Sequence, residues 1–158
     1  MRVPKIYLET SALNFVFSDQ DPEKKMDTIK LFEEIKEGRY KPFTSKYVTE
    51  EVEKAQSEKR DSINDLILKY GIEALECTSE VEELAEEYVK EGIIPRKYMT
   101  DALHIAVATV NEIDIIVSWN FNHIVKRKTV IATEIVNLRN GYKKVEIYSP
   151  LGIIENEV

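Results

Sequence analysis

Short apolar segments alternate along the chain with longer segments of helical periodicity, and this alternation leaves few possible architectures. The apolar segments predict strands at residues 3–8, 40–45, 113–118 and 144–149. Helices, most of about ten residues or more, are predicted at 23–37, 46–56, 61–70, 80–91, 95–111 and 129–139, with a short helical stretch from Asn120. Because parallel strands need such long crossover connections, the sequence predicts an α/β fold, with a central parallel sheet covered by helices on both faces.

The length and composition predict a single soluble domain. A chain of 158 residues is long enough to bury a sizeable core, so we expect one domain over residues 1–158. No apolar run approaches the roughly 18 residues that a membrane span requires, and Glu9 interrupts the N-terminal region before any signal-peptide stretch. Cys77 is the only cysteine, which excludes a disulfide within the chain. We therefore expect a cytoplasmic protein.

The chain is acidic, with 29 Asp and Glu against 22 Lys and Arg and a formal net charge of −7. Taken alone, this charge argues against a protein that coats nucleic acid, because affinity for phosphates depends largely on basic residues. With so many carboxylates, only those that the periodicity assigns to a particular place are informative. Three meet that condition.

Glu9 is the first of these, and it follows directly on the apolar segment Ile6–Leu8. Ligands of open α/β sheets bind at the carboxyl ends of the strands, so Glu9 occupies a position typical of a binding site. The alternative is a structural carboxylate near the N-terminus of the next helix, where the helix dipole favours it.

Glu51 is the second, and it lies within the apolar stripe of the predicted helix 46–56. Val48, Glu51, Val52 and Ala55 occupy positions i, i+3, i+4 and i+7. A carboxylate on a buried face needs a partner, since burial without one is unfavourable or shifts the pKa. Glu51 therefore either belongs to a site or lies at the edge of the stripe and pairs with a lysine.

Asp101 is the third, at the start of the segment "DALHIAVA". The segment is so apolar that Asp101, His104 and the following Thr109 are its interruptions, which predicts a helix buried nearly all round. Thr100 could cap this helix, which would make Asp101 a first-turn residue. Pro95 indicates an earlier start and would place Asp101 more than one turn inside the helix, in a site.

Three carboxylates that converge at one edge of a sheet repel one another unless a cation lies among them. An all-oxygen ligand set suits Mg²⁺ or Mn²⁺ better than zinc, which favours His and Cys. Such an ion activates water and stabilises charge on a phosphoryl oxygen, and it allows an acidic protein to bind phosphate.

Four motifs in order resemble the PIN-domain family, a ribonuclease fold that includes VapC-type toxins. "YLETSALN", residues 7–14, matches the family's opening strand that ends in an acid. Ser45, Val48, Glu51 and Val52 match the second motif, and "TDALHIAVA" matches the Asp-Ala motif on an apolar helix. "IIVSWNFNHI" matches the strand that leads to Ser/Thr-x-Asp or Asn. The resemblance covers nearly the whole chain and implies a PIN-like three-layer α/β/α domain.

Two of the motifs, the first and the last, depart from the family pattern. Glu9 stands where the family usually has Asp, and its extra methylene moves the carboxylate by about 1.5 Å. Asn120 and His123 stand where the family often supplies a further aspartate. The three remaining carboxylates carry enough charge for one divalent ion and too little for two.

The resemblance implies a Mg²⁺- or Mn²⁺-dependent endoribonuclease that hydrolyses RNA phosphodiester bonds. Glu9, Glu51 and Asp101 would hold the metal and, with Asn120, form the catalytic set, in which Asn120 orients the substrate phosphate. His104 is interpreted either as a residue behind the metal ligands or as a histidine whose hydrogen bonds are satisfied in the core.

Substrate-binding candidates include two serines that would position a carboxylate or a water and a basic run that follows the last motif. They are Ser11, Ser118, Lys126, Arg127 and Lys128. The alternative for the basic run is an ordinary solvated surface. Trp119 and Phe121 would stack on unpaired bases or, alternatively, belong to the core.

Three hypotheses follow. The first is the ribonuclease toxin of a type II toxin–antitoxin pair, for which the resemblance implies a homodimer and an antitoxin protein as partner. The second is a catalytically weak or inactive PIN domain that binds RNA or protein, which the two departures favour. The third is a Mg²⁺-dependent phosphohydrolase or phosphate-binding domain on another doubly wound fold, which would usually need an Asp nucleophile where Glu9 stands.

Overall fold

The structure is a computed structural model that describes residues 2–155, and this range contains five strands and eight α-helices. The strands are β1 (Lys5–Leu8), β2 (Lys41–Thr44), β3 (Glu73–Ala74), β4 (Ile115–Val117) and β5 (Glu146–Tyr148). The helices are α1 (Thr10–Asn14), α2 (Pro22–Lys36), α3 (Lys46–Glu53), α4 (Ser57–Lys69), α5 (Ser79–Lys90), α6 (Met99–Val110), α7 (Arg127–Arg139) and α8 (Pro150–Ile153).

The five strands form one parallel sheet in the order β3-β2-β1-β4-β5. Helices flank this sheet, so the predicted α/β fold with three α/β/α layers is confirmed. The strand order reverses beside β1, between the half that runs to β3 and the half that runs to β5. In such sheets the crevice outside the carboxyl ends at the reversal is the usual ligand site. Leu8 pairs with Val117 there, so Glu9 and Ser118 follow paired strand ends.

The core lies around β1 and α6. Ile6, Tyr7 and Leu8 are fully buried, and α6 is buried along most of its length from Ala102 to Thr109. The buried stripe of α5 packs against α6. None of the helices within residues 2–155 is long and apolar enough to cross a membrane.

The chain departs from the predicted elements in three places. The helix expected from Pro95 begins as a short 3₁₀ turn, Arg96–Tyr98, and α6 starts at Met99. Asp101 therefore lies in the first turn of α6, and the prediction of a deeper position is wrong, because Pro95 has an extended backbone. The helical stretch expected from Asn120 is a turn at residues 121–124. Strand β3 was not predicted, since two exposed residues give no alternation signal.

Candidate functional site

Glu9 occupies the centre of the candidate site, directly beyond β1. Its backbone N–H donates to the carbonyl of Val117, 3.1 Å away, which continues the pairing of β1 with β4. Its side chain is the N-cap of α1 and accepts a hydrogen bond from the Ser11 N–H at 3.3 Å. The residue is only 5% exposed. The carboxylate lies at the sheet edge and caps the following helix, so the structural alternative is confirmed and the binding-site interpretation stays a prediction.

Two serine hydroxyls hold one oxygen of the Glu9 carboxylate. Ser11 Oγ donates to Oε1 at 2.6 Å, and Ser118 Oγ donates to the same atom at 2.5 Å. Each serine oxygen in turn accepts a backbone N–H, from Trp119 at 2.8 Å and from Asn120 at 2.9 Å. Because each serine oxygen accepts a backbone N–H, its own hydroxyl proton is available to donate to Glu9. The two predicted substrate-site serines therefore position a carboxylate.

Glu51 reaches the same region from α3. Its Oε1 accepts hydrogen bonds from Thr10 Oγ1 at 2.7 Å and from His104 Nε2 at 2.6 Å. The side chain is 37% exposed, so it faces a solvent-accessible site rather than the closed core. Glu51 thus pairs with a threonine and a histidine, and not with the lysine that the alternative interpretation required.

A buried chain of hydrogen bonds lies behind Glu51. His104 Nδ1 lies 2.6 Å from the hydroxyl of Tyr7, and that hydroxyl lies 2.7 Å from Ser45 Oγ. The Glu51 carboxylate can only accept, so His104 Nε2 carries a proton. With a neutral imidazole, Tyr7 donates to Nδ1 and Ser45 donates to Tyr7, and every proton has an acceptor. The orientation of Glu51 is therefore set by residues of β1 and of the β2–α3 junction.

Asp101 faces the turn that carries the last sequence motif. Its Oδ2 is 3.0 Å from Nδ1 of His123, and its side chain is 16% exposed. Asn120 Oδ1 accepts the backbone N–H of His123 at 2.9 Å, which fixes the turn that carries the histidine. His123 thus offers a cationic or hydrogen-bonding partner at a position where the PIN-like pattern often has another acid.

The pKa values of two of the acids are shifted in opposite directions. Burial, followed by the negative charge of Glu9, raises the pKa of Asp101, although His123 and Asn120 partly offset this. Burial also acts to raise the pKa of Glu51, but the hydrogen bonds from His104 and Thr10, together with nearby positive charge, outweigh it, and the pKa is lowered. Glu51 is therefore held ionised, whereas ionisation of Asp101 is disfavoured by its surroundings.

The residues that could hold a cation are Glu9, Glu51 and His104, each of which offers a ligand atom within 4.8 Å of the others. Both nitrogens of His104 already form hydrogen bonds, so the carboxylate oxygens are the atoms available as metal ligands. Asp101 is not a member of this group, although the negative charge of Glu9 acts on it. Oxygen donors of this kind fit Mg²⁺ or Mn²⁺. The predicted trio is thus only partly assembled, because Asp101 is turned towards His123.

A cleft of about 620 Å³ opens beside Asp101. Its lining includes the predicted residues Asp101, Asn120 and the aromatic pair that follows β4, and also residues that were not predicted. The full lining is Lys24, Tyr98, Asp101, Trp119, Asn120, Phe121, Asn122 and His123. Lys24 gave no sequence signal, because it belongs to the polar first turn of α2. Tyr98 lies three residues before Asp101, and this closeness was a usable signal.

The predicted basic run lies at the start of α7 and is exposed. Lys126 is the N-cap residue of α7, and Arg127 and Lys128 are its first two residues. Among the residues that the structure describes, Lys24 is the basic side chain that lines the cleft, and the basic run is not part of the lining.

Comparison with models of known protein families and with curated proteins identifies no match to this chain.

Proposed function

We propose that the chain is a metal-dependent endoribonuclease with a PIN-like fold that hydrolyses RNA phosphodiester bonds. The observation that carries this proposal is the buried Glu9 at the reversal point of a parallel sheet, with Glu51 beside it and Asp101 close enough for the charge of Glu9 to act on it. Carboxylates whose negative charges lie close together, one of them buried, are unfavourable without a cation. This supports a role as ligands of a divalent ion, Mg²⁺ or Mn²⁺.

Each acid has supporting residues suited to that role. Glu9, Glu51 and Asp101 would hold the ion. When bound, the ion would supply activation of water and stabilisation of negative charge on the phosphoryl oxygens. Ligand-orienting hydrogen bonds of the kind that Ser118 and His104 provide are typical of metal sites, where they fix the direction of the donor atom. Asn120 brings an uncharged side chain to the cleft, where it would orient the substrate phosphate.

The test is cleavage of a mixed pool of single-stranded and structured RNA with Mn²⁺, Mg²⁺ or EDTA. Wild type should cleave with either metal and not with EDTA. Glu51→Gln and Asp101→Asn should each lower the rate by about 100-fold or more, because even residues behind metal ligands contribute about 10- to 100-fold. Glu50→Gln, an exposed neighbour on the same helix, is the matched control and should retain activity.

The proposal is wrong if folded wild type shows no metal-dependent cleavage of this pool. It is also wrong if Glu50→Gln is as damaging as Glu51→Gln, because the effect would then not depend on the site.

A second candidate function is a catalytically inactive domain that binds RNA. The observation that favours it is the pairing of two acids with histidines, Glu51 with His104 and Asp101 with His123, which partly satisfies these carboxylates without an ion. RNA binding that is unaffected by EDTA, together with no cleavage under any metal condition, would support this function over the nuclease.

We extend the proposal to a toxin of a type II toxin–antitoxin pair, which acts as a homodimer and is inhibited by an antitoxin protein. The support is the order of the sequence motifs. Induced expression of wild type should arrest bacterial growth, and Asp101→Asn should not. Growth arrest by both proteins would contradict a toxin role that depends on this site.

A further inference from the structure

Two aromatic side chains are exposed next to the candidate site, in the same cleft as Asp101. Phe121 is 47% exposed and Tyr98 is 38% exposed. Trp119 differs from both, since it is only 7% exposed and its indole N–H donates to Thr28 Oγ1 at 2.9 Å. Trp119 therefore belongs to the core, as the alternative interpretation predicted, whereas Phe121 presents its ring to solvent.

The ammonium group of Lys24 lies near three aromatic rings, those of Phe15, Trp119 and Phe121. Its Nζ is 5.4 Å from the ring centres of Phe15 and Phe121 and 5.5 Å from that of Trp119. Its contact with Asp21 is long, at 3.9 Å, so a strong ion pair does not neutralise it. Cation–π attraction thus holds a positive charge over the partly exposed Phe121 ring, in a cleft that Asp101 also lines.

Tyr98 is held in place by the residues of the site itself. Its ring lies 4.0 Å from the ring of His123, at an interplanar angle of 33°. His123 in turn contacts Asp101 at 3.0 Å. The exposed ring of Tyr98 is therefore positioned relative to a proposed metal ligand by two successive contacts.

We propose that the cleft lined by Tyr98 and Phe121 is a subsite for one unpaired nucleobase, and that Lys24 contacts the adjoining phosphate. This inference rests on the proposed function, which supplies an RNA strand at the acids. Exposed aromatic rings stack on the faces of unpaired bases, whereas the bases of a duplex already cover their faces by stacking on one another. A volume of about 620 Å³ lies within the usual range of small-ligand pockets. The subsite therefore selects single-stranded or looped RNA.

The test is binding of a short labelled RNA, presented single-stranded or as a duplex, by fluorescence anisotropy in EDTA. Phe121→Leu keeps an apolar side chain and removes the aromatic face. We expect it to weaken single-strand binding by about five- to tenfold, the lower part of the range measured for stacked bases. Phe17→Leu is the matched control, because Phe17 is 40% exposed and lies outside this cleft. Phe121→Tyr keeps the aromatic face and should bind single-stranded RNA as wild type does.

Two further readouts follow from the same cleft. Trp119 is the only tryptophan of the chain, and its ring lies 6.0 Å from that of Phe121, so single-stranded RNA should change its fluorescence. Lys24→Gln should reduce the dependence of log Kd on log salt by about 0.7, the value for one phosphate contact on a single strand.

The subsite is refuted if wild type binds no single-stranded RNA or binds the duplex equally well. It is also refuted if the Kd values of Phe121→Leu and Phe17→Leu for single-stranded RNA agree within about twofold. Because binding is measured without metal, the two proposals fail separately. Phe121-dependent binding without any cleavage would refute the nuclease alone, and cleavage that is indifferent to Phe121 would refute the subsite alone.

Discussion

The hydroxyl of Tyr7 connects His104 to Ser45, and replacing Tyr7 with Phe removes it while the ring remains. All three residues are 0% exposed. His104 Nδ1 would lose its partner at 2.6 Å, and Ser45 would lose its acceptor at 2.7 Å. Each buried polar group left without a partner costs about 1–3 kcal/mol. We expect the free energy of unfolding to fall by about 2–4 kcal/mol, since Ser45 still accepts the Tyr47 N–H at 3.2 Å.

Tyr47→Phe is the matched control for this change. Tyr47 is 5% exposed, and within residues 2–155 its hydroxyl has no hydrogen-bond partner. Removing that hydroxyl relieves an unpaired buried group, so we expect no loss of stability or a gain of about 1 kcal/mol.

Equilibrium urea denaturation of the two variants and wild type measures both effects. The midpoint of Tyr7→Phe should fall with an unchanged m-value, whereas that of Tyr47→Phe should stay or rise. The buried chain would not have the energetic role described for it if both substitutions changed stability equally. A neutral Tyr7→Phe would lead to the same conclusion.

Three further predictions concern the acids themselves. Because the pKa of Asp101 is raised, its ionisation destabilises the fold as pH rises above the ordinary aspartate pKa. Asp101→Asn removes this ionisation and should unfold at a higher temperature than wild type in EDTA at neutral pH. The pKa of Glu51 is lowered, so ionised Glu51 stabilises the fold above the ordinary glutamate pKa, and this stabilisation is lost as pH falls. Glu51→Gln should therefore melt below wild type at neutral pH and converge with it in acid. Thermal melts that shift in the same direction for both variants would contradict these assignments. Ser118→Ala removes the 2.5 Å donor to Glu9, and we expect kcat/KM for RNA cleavage to fall by about 10- to 100-fold; an unchanged value would show that Glu9 does not need this donor.

Part of the site could be predicted because it follows from strand order and register. Alternation of strands and helices implied a parallel sheet, and the pairing of Leu8 with Val117 then brings Glu9 next to Ser118. Glu51 was identifiable because it interrupts an apolar stripe. These inferences use local periodicity, which the sequence displays directly.

Other features depend on contacts between distant segments, for which the sequence shows no periodic signal. The pairing of Asp101 with His123 requires a turn after β4 that was expected to be helical. Lys24 reaches the cleft from the polar first turn of α2, and Phe121 is exposed although aromatic residues after a buried strand usually pack inside. His104 is a fully buried histidine with satisfied hydrogen bonds, as one interpretation predicted, and one of these bonds orients Glu51.

The most direct test of the central claim is calorimetric titration of Mn²⁺ into purified wild type, Glu51→Gln and Glu50→Gln. If Glu9, Glu51 and Asp101 form a metal centre, wild type and Glu50→Gln should each bind one ion with similar affinity, and Glu51→Gln should bind at least about tenfold more weakly. A wild type that binds no Mn²⁺, or a Glu51→Gln variant that binds it as tightly as Glu50→Gln, would contradict the account.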